Sequence, residues 1–109
     1  YNLVAPAGNT AVRFELYNQD GKMIATGSLT AGSTARSLGY LILAAGVSQT
    51  NWDATCSAKL SVTGANIVYV NTAGGDESGS GAALAITPDA NSLVYMNPGG
   101  YIYNLGAID

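Results

Sequence analysis

The chain has no histidine, one cysteine (Cys56) and so little charge that Asp, Glu, Lys and Arg together make up 10% of its 109 residues. Each shortage removes a class of function. Without histidine, no side chain titrates ordinarily near neutrality to act as a general base, and no imidazole is present to activate a serine or cysteine nucleophile. A lone cysteine cannot close an internal disulfide. The four basic residues, Arg13, Lys22, Arg36 and Lys59, are scattered along a chain of net charge −3. They do not form the concentrated basic face that nucleic acid or an anionic membrane surface requires. The longest apolar run, Tyr40–Val47, falls far short of the ~20 residues of a spanning helix, so membrane insertion by this chain is not expected. No signal-type apolar stretch is visible, and Tyr1 reads as a processed N-terminus or a first ordered residue.

In place of charge stand Gly, Ala, Ser, Thr and Asn, arranged in short extended segments. Thr10–Tyr17 alternates strictly, with Val12, Phe14 and Leu16 on one side and Arg13, Glu15 and Tyr17 on the other, the pattern of a half-buried strand. Asn18-Gln19-Asp20-Gly21 then makes a hairpin turn into a second strand over Lys22–Leu29. Leu38–Ala45 tolerates a helix by propensity, but Gly39 and Gly46 interrupt that pattern and Tyr40-Leu41-Ile42-Leu43 suits a buried strand, so the stretch reads as strand with a short helix as the alternative. Trp52–Val62 alternates again and places Trp52, Ala54, Cys56, Ala58, Leu60 and Val62 inward, so Cys56 is expected in the core, inert and reduced. Ile67–Val70, Ala82–Thr87, Leu93–Met96 and Tyr101–Leu105 read as further strands, and a glycine-rich loop spans 73–81. Turn signals recur too often to leave room for a long amphipathic helix. The fold class expected is all-β: a single-domain antiparallel β-sandwich over residues 1–109, or a barrel-like variant, with at most one short helix near residues 36–46. Val12, Phe14, Leu16, Leu60, Val62, Val68 and Val70 are expected in its core.

Candidate chemistry is sparse. Gly75-Asp76-Glu77-Ser78-Gly79 has the glycines of a serine-nucleophile loop, but the triad histidine does not exist in this chain. Asp76 with Glu77, or Asn18 with Asp20, offers oxygens to a hard cation without the spacing of a calcium loop. Glu15 and Glu77 are the only glutamates, both at expected solvent-facing or loop positions, and the chain is short for the substrate cleft of a glycosidase. No catalytic residue, cofactor or metal site is expected, and the chain is read as a non-enzyme.

The tyrosines are the positive signal. Seven occur against one Trp and one Phe, and Tyr95, Tyr101 and Tyr103 crowd the C-terminal end. A ring with a polar tip suits an interface. Ala82–Thr87, Leu93–Met96 and Tyr101–Ile108 carry no charge that would guard a sheet edge. Tyr95, Tyr101, Ile102 and Tyr103 are therefore the expected subunit interface, with copies of the same chain or a partner structural subunit as occupant. The functional expectation is a structural subunit of an extracellular or cell-surface filament such as a pilus, the globular partner of a separate helical pilin chain. A virion decoration or fibre protein is the alternative, and a carbohydrate-binding module using Trp52 or the Tyr101/Tyr103 face is a second one.

Overall fold

The computed structural model describes residues 1–71, 84–88, 91–97 and 101–108, with the backbone alone at 71, 84, 91–97 and 101–108. The glycine-rich loop expected at 73–81, with Asp76 and Glu77, lies outside the described residues. In chain order the elements are β1 (Asn2–Val4), β2 (Thr10–Tyr17), β3 (Met23–Ala31), β4 (Arg36–Ser37), α1 (Leu38–Ala44), α2 (Gln49–Asp53), β5 (Ser57–Val62), β6 (Val68–Asn71), β7 (Leu84–Ile86), β8 (Asn91–Asn97) and β9 (Tyr101–Ile108). Strands hold 45% of the chain, in two antiparallel sheets. One runs β4-β1-β6-β7 and the other β3-β2-β5-β8-β9.

Alternation drives the larger sheet. Along β2, Val12, Phe14 and Leu16 are buried, and the register sets them opposite Val62, Leu60 and Ala58 of β5, which are also buried. From the other sheet come Leu3, Val68, Val70 and Ile86, and from α1 come Leu38, Leu41 and Ile42, all in the same apolar cluster. Val12, Phe14, Leu16, Leu60, Val62, Val68 and Val70, all expected in the core, are in that cluster, whereas Cys56, also expected there, is not. The hairpin is also as expected: Gly21 adopts a φ of 75°, which only glycine reaches cheaply. The Asn18 Oδ1 accepts from the amides of Asp20 and Lys22 at 3.0 Å each. That side chain is spent on holding the turn, which explains its polar composition without a cation.

Five expectations need correction. The sheets are not closed into a barrel, since each order ends in open edges. Leu38–Ala44 is a helix and not a strand. The Ser37 Oγ caps it by accepting from the Tyr40 amide at 3.1 Å. At the far end Gly46, at φ 103°, lets its own N–H and that of Val47 bond the carbonyls of Leu43 and Ile42, the Schellman arrangement. A second short helix follows over Gln49–Asp53, capped in the same way by Ser48, so the limit of one helix was too strict. Because α2 occupies the start of the segment read as one long strand, the inward alternation begins only at Ala58. Finally, Leu93–Met96 is no edge: β8 lies between β5 and β9.

The two helices meet over a glycine. A Cβ on Gly39 would sit 3.0 Å from the Trp52 Nε1 and 3.2 Å from its Cε2, so the missing side chain makes room for the indole. Trp52 is half-buried against the core.

Candidate functional site

Chemistry-bearing side chains of the described residues gather on the outer face of the five-stranded sheet. The β2–β5 register sets Arg13 opposite Ser61, Glu15 opposite Lys59 and Tyr17 opposite Ser57. Arg13, Glu15, Lys59 and Ser61 border a shallow depression of about 240 Å³. Beside it the Tyr17 hydroxyl donates to the Glu15 Oε1 at 2.6 Å. That bond, then burial, then the carboxylate's charge push the Tyr17 phenol above its ordinary value, so it stays protonated as a donor at neutral pH. Opposite charges facing each other across two strands are a cross-strand stabilising pair. Glu15, already bonded to Tyr17 and facing a lysine, has no second carboxylate beside it among the described residues. Nor do the described residues contain any group of three or more His, Cys, Asp or Glu side chains able to hold a metal ion.

Cys56 is not where the alternation put it. It sits half-buried in the link between α2 and β5. Its amide donates to the Tyr17 carbonyl at 2.8 Å, and its Sγ lies 3.9 Å from the Ala54 carbonyl. The buried residue of this link is Thr55, fully enclosed, whose hydroxyl donates to the Asn51 carbonyl at 2.8 Å. A free thiol with partial exposure is expected to react with iodoacetamide in the folded protein. Cys56→Ala is expected to change stability by less than about 1 kcal/mol. Intact mass after brief alkylation and a urea melt of the variant check both, and a thiol that reacts only on unfolding would return Cys56 to the core.

The four residues expected at an interface divide between two neighbouring strands. Tyr95 belongs to β8, while Tyr101, Ile102 and Tyr103 belong to β9, the last strand of the sheet. The register pairs Tyr95 with Asn104, Ile102 with Met96 and Tyr101 with Asn97, and it shifts between Tyr95 and Met96 so that Tyr103 has no opposite number. The topology thus brings these four positions together at one end of the five-stranded sheet. Reading the sequence for edges missed the other end. There β3, nine residues without a charge, forms the opposite edge. Its neutrality is visible in the sequence, but its position is not, because strand order depends on partners distant along the chain. Comparison of the chain with protein-family models, with curated proteins and with solved structures finds no match.

Proposed function

We propose that this protein is a β-sandwich structural subunit of an extracellular assembly, without enzymatic activity, that joins copies of itself or a partner subunit through sheet edges. The observation that carries the reading is that both terminal strands of the five-stranded sheet, β3 and β9, are long and uncharged. Proteins that must stay monomeric guard such edges with lysine, proline or inward-pointing charge. Here the main-chain groups of an edge are available to a neighbour, and main-chain pairing with apolar burial supplies affinity with little help from ion pairs. The low overall charge points the same way, since little in it opposes close approach of copies. In this reading the two sheets pack face to face over their shared apolar cluster, and a surface filament such as a pilus is the setting that uses open edges most directly.

The test is assembly itself. Sedimentation of the wild-type chain over a wide concentration range is expected to show large species that persist in half-molar salt, because apolar and main-chain contacts are screened far less than exposed ion pairs. The double substitution Tyr101→Ser with Tyr103→Ser is expected to reduce assembly at least tenfold at both low and high salt. Undiminished assembly of that variant would remove β9 as an interface. Collapse of wild-type assembly in salt would replace the apolar force with a charged one.

A further inference from the structure

The β3 edge has a geometry that selects its partner. The Ala11 carbonyl accepts from the Thr63 amide at 3.2 Å, on the side of β2 away from β3. Ala11 stands opposite Thr30 in the β2–β3 register. In an antiparallel ladder, opposed residues either exchange both main-chain bonds or turn both away from each other. Thr30 therefore turns its N–H and C=O to the open edge, and by alternation so do Ser28 and Thr26. All three have exposed side chains. The open stretch has defined ends: on one side the Asn51 Nδ2 donates to the Ile24 carbonyl at 3.4 Å, and on the other the Gly32 carbonyl accepts from the Ala5 amide at 2.7 Å. Between those closures lies Thr26-Gly27-Ser28-Leu29-Thr30.

We propose that this stretch is a two-fold contact between two copies of the chain, β3 pairing antiparallel with β3 about an axis through Ser28. The inference deepens the assembly reading and rests on it. The segment is self-complementary about that axis: Thr26 meets the second copy's Thr30, Ser28 meets Ser28, and Gly27 meets Leu29. A two-fold axis sets the central side chain against itself, so a charge there would repel its own copy. Met23–Ala31 contains none. The space beside the edge fits the same partner. A groove of about 260 Å³ lies between Ser28, Leu29 and Thr30 of β3 on one side and Leu41 and Ala44 of α1 with Ala45, which caps it, on the other. The pairing brings the second copy's Gly27, and beyond it Ala25, next to this ledge, where bulkier side chains would meet the helix. Gly27 is held small for a separate reason, since a Cβ there would lie 2.9 Å from the Phe14 Cζ. The contact is isologous and closes on itself, which leaves β9 free to propagate a filament.

Cysteine cross-linking reads the axis directly. In a Cys56→Ala background, Ser28→Cys sets two thiols on residues whose Cα atoms are about 5.5 Å apart in a hydrogen-bonded pair, within the roughly 4.4–6.8 Å span of a disulfide. Thr30→Cys sets its thiols four residues of strand apart, about 13 Å. Mild oxidation is expected to give at least tenfold more covalent dimer from Ser28→Cys than from Thr30→Cys. Ser28→Lys is expected to weaken the dimer at least tenfold at low salt, while Ser28→Thr retains it. Equal cross-linking at positions 28 and 30, or a Ser28→Lys dimer as tight as wild type, overturns the two-fold pairing and leaves the assembly reading in place. A wild-type chain that remains monomeric at millimolar concentration overturns both.

Discussion

Truncating Phe14 to alanine is expected to remove about 3–5 kcal/mol of stability. Against the roughly 5–15 kcal/mol that holds a domain folded, that is about a third to a half of a mid-range stability. Phe14 is the only phenylalanine of the chain and is 1% exposed. It stands opposite Gly27 on one side and Leu60 on the other. The ring covers the glycine so closely that a Cβ on Gly27 would lie 2.9 Å from its Cζ and 3.3 Å from its Cε2. A glycine inside a strand costs about 0.5–1 kcal/mol against alanine, and an aromatic ring laid over it is one way that cost is offset. The pair should therefore be strongly coupled. Gly27→Ala is expected to destabilise the wild type by about 1–3 kcal/mol through crowding, yet to be neutral or stabilising in the Phe14→Ala background, where the space is empty. Urea melts of the four proteins close the cycle. Additive losses, or a loss of less than about 1 kcal/mol for Phe14→Ala alone, would show that the ring is not the centre of this sheet.

What the sequence makes legible follows the range of the interactions involved. The β2 alternation and the Asn18–Gly21 turn are local, and both are where the periodicity and the Asp20-Gly21 pair place them. The same alternation rule fails at Trp52–Cys56. Trp52, Ala54 and Cys56 keep step with the true inward row of Ala58, Leu60 and Val62, although the first of them is helical and the other two lie in the link to β5. Ser48 before that segment is a helix start signal, and it outweighs the coincidence of spacing. β1 has only three residues, too few for any period, yet it lies inside the smaller sheet between β4 and β6. Its strand character comes from partners more than thirty positions away, Arg36 and Val70 opposite Leu3. The candidate interface divides the same way. The neutrality of β3, β8 and β9 is written in the residues, whereas the fact that β3 and β9 are edges and β8 is interior depends on strand order.

The sharpest test of this division is a single substitution made at two positions two residues apart. Ile42→Glu is expected to cost about 4 kcal/mol or more, because Ile42 is fully buried in the shared cluster and an unpaired carboxylate there loses its hydration without gaining a partner. Tyr40→Glu is expected to be neutral, or to stabilise by a few tenths of a kcal/mol. Tyr40 is 61% exposed, and it is the third residue of a helix whose cap is Ser37. A glutamate at that position completes the capping box and places negative charge at the positive end of the helix. In a strand, residues 40 and 42 would share a face, and the two variants would suffer together or be tolerated together. In the helix they stand about 200° apart, two residues at 3.6 per turn, and their fates separate. Urea midpoints measured side by side decide it: equal losses at both positions would restore the strand over Leu38–Ala45, and an Ile42→Glu protein as stable as wild type would detach α1 from the core that the two sheets share.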